Sequence, residues 1–182
     1  MTDLSLDTRD SLPEALRALV GGPARPDWAS HPEFGPLTQF WLERHMMFRK
    51  LLEQIRADAT ARADGKIAPE AYDRLLMQRG GLFLNELNGH HGIEDQVYFP
   101  KMVAAAPQVA RAFELLDADH HELHEEIEGF AADANALLRR QAGAAALEAR
   151  MDKMARFLDR HLTDEEDVVV PVILRVGERH LG

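Results

Sequence analysis

The stretch His90-His91-Gly92-Ile93-Glu94-Asp95-Gln96-Val97-Tyr98-Phe99-Pro100 recurs in spacing later in the chain as His161-Leu162-Thr163-Asp164-Glu165-Glu166-Asp167-Val168-Val169-Val170-Pro171. Both read His-x-x-x-Glu-acid-x-Val-x-x-Pro. On an α-helix, residues i and i+4 lie about 40° apart on one face, so each copy aims an imidazole and a carboxylate at the same region of space. That is the geometry of metal ligation.

Working outward from the repeat, helical periodicity extends through most of the chain. Over residues 37–63, Phe40, Trp41, Leu42, Met46, Met47, Phe48, Leu51, Leu52 and Ile55 recur at helical spacing, and Asp64, Gly65 and Lys66 end the run. Pro69 suits a first helical position, and residues 69–105 continue the pattern with Leu75, Leu76, Leu82, Phe83, Leu87, Ile93 and Val97. Gly80, Gly81 and Gly89 are its weak points, and Pro100 is expected to bend or break it. A third helix is predicted over 107–140 and a fourth over 144–176. No stretch reads as a strand; residues 168–170 continue a helical stripe. Four long amphipathic helices with short links predict an all-α fold, an antiparallel up-down-up-down four-helix bundle over residues 36–182. Residues 1–35 read as an extension outside the core fold. They carry a short helix over 12–20, started by Ser11, Pro13 and Glu14 and ended by Gly21 and Gly22, followed by a loop spaced by Pro23, Pro26, Pro32 and Pro36.

Composition narrows the chemistry. The chain has 182 residues with 46% hydrophobic content, enough for one domain with a core. Its 31 acidic against 21 basic residues give a formal charge of −10, which argues against nucleic acid or anionic membrane as partner. Zero cysteines exclude disulfides, thiolate catalysis, iron–sulfur clusters and cysteine-ligated zinc. Any metal must take nitrogen and oxygen ligands. The first residues lack a basic region followed by an apolar run, and no segment approaches the ~20 apolar residues of a membrane span, so the expected location is the cytoplasm.

Each predicted helix carries a histidine in its middle part: His45, His90, His120 with His124, and His161. With Glu94 and Glu165 these make five imidazoles and two carboxylates converging from four helices, and His120 and His124 repeat the i, i+4 geometry. Two six-coordinate metals offer about twelve positions; five histidines, two bridging carboxylates and one bridging oxide or hydroxide leave one open. An open position on one of two redox-active irons is a place for dioxygen, peroxide or nitric oxide, and imidazole with carboxylate suits iron or manganese. His91 and His121 turn about 100° away from their neighbours and read as outer or solvent-facing residues. His31 and His180 fall in the loop and the tail. Met46, Met47, Met77, Met151 and Met154 read as core fillers, and Trp41, Tyr98 and Phe99 as residues flanking the site or limiting access to it.

These residues resemble the hemerythrin-like, or His-His-Glu cation-binding, four-helix proteins, over about residues 37–176. The resemblance implies a site of two Fe ions, oxo- or hydroxo-bridged, with His120, His124 and His161 on one iron, His45 and His90 on the other, and Glu94 and Glu165 bridging. Within the family the last carboxylate can fall four or five residues after its histidine, which makes Glu166 the alternative to Glu165; the internal repeat favours Glu165. The chain departs from the oxygen-carrying members by its extension and by Glu in place of Asp at that ligand. It differs from the cysteine-bearing cluster-repair relatives by having no cysteine. The expected function is binding of dioxygen or a related small oxidant, in oxygen or iron sensing or in stress response. Turnover of peroxide or nitric oxide is the enzymatic alternative, and a metal-dependent sensor bundle is the other.

Overall fold

The computed structural model describes residues 4–181, and its regular structure there is helical, with no strand among the described residues. Helix α1 spans Glu14–Val20, and a 3-10 turn follows at Arg25–Ser30. Helix α2 runs Pro36–Ala63, starting at a proline that has no N–H to leave unpaired. The next stretch, α3, is a chain of α segments, Pro69–Leu75, Gly81–Ile93 and Phe99–Ala105, joined by π turns at Leu76–Gly80 and Glu94–Tyr98. A 3-10 turn at Pro107–Val109 leads into α4, Ala110–Leu138; α5, Ala144–Val176, is the longest helix, and a last turn lies at Glu178–His180.

Two expectations about α3 change. Pro100 does not break it: the π turn Glu94–Tyr98 immediately precedes, and Pro100 sits in the first turn of the following α segment, where its missing N–H costs least. Each π turn also inserts an extra residue and rotates the face that follows. Leu82, Ile93 and Val97, counted in the apolar stripe, are exposed, whereas Phe83 and Leu87 are buried.

The N-terminal segment is not an appendage. Leu6 packs with Phe48, Leu123 and Leu158 in one apolar cluster, and Leu12, Leu16 and Val20 pack with Phe113, Val169 and Val172 in another. Trp28 joins Val170 and Leu174 in a third. Gly22, at φ +96°, lies so close to Pro171 that a Cβ there would fall 2.9 Å from the proline ring. This segment contributes several buried apolar side chains at roughly 1.5–3 kcal/mol each, a large sum beside the marginal net stability of a folded domain. Of the methionines read as core fillers, Met151 and Met154 are buried, while Met46 and Met77 are exposed.

The apolar interior is divided along every long helix. On α2, Trp41 belongs to one cluster and Phe48 to the other; on α3, Leu87 and Phe99 are split in the same way, as are Leu123 and Leu116 on α4, and Leu158 and Val168 on α5. Between them lies a belt of buried polar side chains: His45, His91, Glu94, Asp119, His120, His161, Asp164, Glu165 and Glu166. Polar groups withdrawn from water at this density need partners, and the partners here define the site.

Candidate metal centre

Two sets of side chains offer ligand atoms within 4.8 Å of one another: His45, His90, Glu94 and Glu165 in one, and His91, His120 and His161 in the other. The two glutamates join them. Glu94 turns Oε1 toward His90 Nε2 at 2.9 Å and Oε2 toward His120 Nε2 at 3.6 Å. Glu165 turns Oε1 toward His45 Nε2 at 3.4 Å and Oε2 toward His161 Nε2 at 3.3 Å. Each carboxylate therefore spans from one imidazole set to the other.

Three of the histidines have their second ring nitrogen fixed by an outer carboxylate. His45 Nδ1 lies 3.0 Å from Glu166 Oε1, His120 Nδ1 lies 2.7 Å from Asp95 Oδ1, and His161 Nδ1 lies 3.3 Å from Asp119 Oδ2. Such a partner holds the proton on Nδ1 and leaves the Nε2 lone pair pointing inward, the arrangement by which proteins orient metal-binding imidazoles. The Trp41 indole N–H donates to Glu165 Oε1, adding a fixed donor beside one carboxylate.

Sequence reasoning placed His45, His90, Glu94, His120, His161 and Glu165 together, and the structure gathers those six. It does not gather His124. The buried stripe of α4 steps through Leu116, Asp119, His120, Leu123, Glu126 and Ile127, so the position four residues after His120 has rotated past its edge. The His124 side chain is 57% exposed, with Nε2 3.3 Å from Glu128. His91 stands where a fifth imidazole was expected. It is buried, stacked on His120 with ring centroids 4.2 Å apart, and 5.4 Å from the ring of His161. A pair of metals presents a wide target, and adjacent residues 100° apart can straddle Glu94 and address one metal each. The doubled histidine before Ile93 and Glu94 was the available signal. Glu166, the alternative last ligand, is occupied outside the centre by His45, Arg25 and Arg49. Asp119, which holds His161, carried no mark in the spacing; Asp95, which holds His120, stands at the acid position of the repeat, as Glu166 does in the second copy.

Burial and neighbouring charge shift these groups in both directions. Burial, followed by the charge of neighbouring imidazoles and only partly offset by Glu165, pushes His90 down to about 3. Burial also lowers His91 and His120 below the ordinary histidine value, against the pull of Asp95 on His120. These rings are neutral near pH 7, the form that ligates metals. His161 goes the other way: burial opposes its charge, but Asp119 and Glu165 outweigh it and raise the ring to about 9. Glu94 is raised by burial and by Glu165 opposite, whereas Glu165, despite burial, is held low by His45 and His161.

His91 Nε2, His120 Nε2, His161 Nε2, both oxygens of Glu94 and Oε2 of Glu165 are buried without a hydrogen-bond partner. Leaving one such atom unpaired costs about 1–3 kcal/mol, and here they face a common centre. Nitrogen and oxygen donors converging with no thiolate suit one or two divalent cations of the iron or manganese kind. A family model for the hemerythrin HHE cation-binding domain matches residues 37–173. The chain belongs to that family. No curated protein and no solved structure gave a significant match. Among the described residues, no helix is long and apolar enough to cross a membrane.

Proposed function

We propose that this chain is a non-haem di-iron protein that binds dioxygen or a related small oxidant. The observation that carries the reading is the two-sided presentation of Glu94 and Glu165, each offering one oxygen to the His45 and His90 set and the other to the His91, His120 and His161 set. The four long helical stretches fit an up-down-up-down antiparallel bundle: along α2, α3, α4 and α5 the two apolar clusters are met in alternating order, and the connections at 64–68, 106–109 and 139–143 are short.

The two sides differ, and the difference says where a small molecule would enter. One side has three imidazoles and the other two, so the protein leaves more of the coordination sphere free on the His45 and His90 side. A cavity of about 220 Å³ opens against that side, lined by Trp41, Arg44, Gly89, His90, Glu94 and Tyr98 among others. Its walls are chiefly apolar, which suits an uncharged diatomic molecule. Two irons held at bridging distance supply two-electron redox chemistry when bound. The chain's own residues orient the ligating rings through Asp95, Asp119 and Glu166, keep Glu165 in place through Trp41, and screen the centre from water with the apolar clusters on either side. The charge of −10 supports a partner that is neither nucleic acid nor an anionic membrane, and a cytoplasmic setting belongs to the same reading.

Turnover of peroxide or nitric oxide is the second reading, and Tyr98 favours it. Its phenol is a proton donor on a residue that lines the cavity beside His90 and Glu94. Metal analysis with an optical spectrum of the anaerobically reduced and then air-exposed protein tests both. About two irons per chain with new near-ultraviolet and visible charge-transfer bands are expected. Reversal on removing oxygen supports binding, and irreversible bleaching with consumption of added peroxide supports turnover. One zinc, or no metal with an intact helical signal, overturns the di-iron reading.

A further inference from the structure

The family match begins at residue 37, yet the segment before it reaches both sides of the centre through two arginines. Arg9 is buried, with its guanidinium paired to both oxygens of Asp119 at 3.0 and 2.5 Å and to Asp164 Oδ2 at 2.9 Å. Asp119 Oδ2 is the oxygen that faces His161 Nδ1. Arg25, on the 3-10 turn Arg25–Ser30, places Nη1 2.5 Å from Glu166 Oε2, Nε 2.7 Å from Asp167 Oδ1 and Nη2 2.7 Å from the Thr163 carbonyl. Glu166 Oε1 is the oxygen that faces His45 Nδ1. Each arginine thus grips a carboxylate that grips an imidazole, and the two imidazoles belong to opposite sets.

We propose that the N-terminal segment is a two-armed positioning strap for the metal centre, with Arg9 acting on His161 through Asp119 and Arg25 acting on His45 through Glu166. A carboxylate on Nδ1 both aims the ring and raises its basicity as a ligand. An arginine on that carboxylate fixes its orientation by a forked, charge-assisted contact and draws off part of its charge. Arg9 is held with little freedom of its own: its side chain is 3% exposed, and the strap is anchored by Leu12 just before α1, by Leu16 and Val20 of α1, and by Trp28 of the turn after it. On the other side Arg49 of α2 also reaches Glu166, at 2.7 Å, so the bundle supplies one guanidinium to that carboxylate and the strap a second. For Asp119 the described contacts come from Arg9 and His161. The Arg9 arm is therefore expected to matter more.

The proposal rests on the centre holding metal, and the test separates the two ideas. The full chain would be prepared metal-free as wild type, Arg9→Gln, Arg25→Gln and Leu16→Ala. Each would be checked for helical content and thermal midpoint, then titrated anaerobically with ferrous iron against a competing chelator. Leu16 packs in an apolar cluster, so its truncation lowers stability while leaving both arginine–carboxylate contacts in place. The expected result is that Arg9→Gln weakens iron binding about 10–100-fold and Arg25→Gln less so, in folded protein. Leu16→Ala should lower the midpoint while the folded fraction keeps its affinity. Wild-type affinity in both arginine variants, or an equal loss in Leu16→Ala, overturns the strap. Should Arg9→Gln fail to fold, Arg25→Gln decides, because that side chain is 40% exposed and its loss leaves Arg49 on Glu166. A wild type that takes up no iron overturns the reading of the centre and the strap with it. Tight uptake in wild type with unaffected variants removes the strap alone.

Discussion

His91 stacks on His120 with ring centroids 4.2 Å apart and an interplanar angle of 15°. The two rings come from α3 and α4, and both are lowered below the ordinary histidine value, so they meet as neutral imidazoles. This contact puts His91, and not His124, beside the other nitrogen donors of the proposed centre. His91→Ala is expected to reduce bound iron from about two to about one per chain, because it removes a ligand from the three-imidazole side. His124→Ala, on an exposed face, should retain the wild-type content. Metal analysis of both variants after identical anaerobic loading decides: full loading of His91→Ala with loss in His124→Ala would restore the reading from helical spacing.

Glu165 and Glu166 are neighbours with opposite assignments. Glu165 faces inward to His45 and His161, while Glu166, opposed by burial but held by His45, Arg25 and Arg49, is pushed down to about 2 and points outward. Glu165→Gln should lose most bound iron on dialysis against a chelator, since a neutral amide cannot bridge two cations. Glu166→Gln should keep both irons when iron is plentiful but bind about 10–100-fold more weakly, the usual cost of losing an orienting partner. The opposite ranking would move the bridge to Glu166.

How much of this was legible in the sequence follows from what periodicity encodes. The His-x-x-x-Glu repeat marked both Glu94 and Glu165 because each stands four residues after its histidine, within about 40° of it around the helix. The bounds of α5 at 144 and 176 followed from its unbroken stripe and the glycine before it. His124 failed for a related reason: i+4 drifts by about 40° per step, and His120 already stood at the edge of the buried stripe. The π turns of α3 were not legible, since an extra residue per turn leaves no signature in the apolar pattern beyond Gly80 and the residues before Pro100. Arg9, Arg25 and Asp119 act across elements far apart in the chain, so no local spacing could pair them, and the acid position of the repeat marked Asp95 without showing its partner His120. The packing of residues 4–35 was hidden for the same reason: prolines and a short helix describe a loop equally well whether or not it lies on the bundle.

Glu178 caps α2 from the far end of the chain. Its carboxylate accepts from the backbone N–H groups of Gly35, Leu37 and Thr38 and from the Thr38 hydroxyl, at 2.8–3.1 Å, where Gly35 offers no side-chain cap of its own. Burial opposes its charge, but these donors hold its pKa below the ordinary value. A depressed folded-state pKa means stability that is present above the unfolded-state value and lost as the pH falls through the folded one. Glu178→Ala should therefore cost about 1 kcal/mol at pH 7, and the gap to wild type should shrink as the pH falls below about 4. Urea unfolding of both proteins at neutral and acid pH measures it; a gap that stays constant would show that the charge of Glu178 contributes nothing.

Gly89 lies in the helical segment Gly81–Ile93 and lines the cavity beside His90 and Glu94. A Cβ at this position would meet nothing within 4 Å, so a methyl group can be added there without displacing neighbours. Gly89→Ala should stabilise the fold by about 0.5–1 kcal/mol, because glycine in a helix interior loses more backbone freedom on folding than alanine. Gly89→Leu should do more than stabilise. Its side chain would project into a space of about 220 Å³ that is the approach to the two-imidazole side. Iron content should stay at the wild-type level, since no ligand is altered, while the rate of re-oxidation by air should fall about tenfold, a barrier increase of about 1.4 kcal/mol. Stopped-flow mixing of reduced protein with oxygenated buffer gives that rate directly. An unchanged rate in Gly89→Leu, with full iron content, would mean that oxygen arrives by the opposite opening, lined by Gly92, Asp95, His120 and His124, and would transfer the open coordination position to the side of His91.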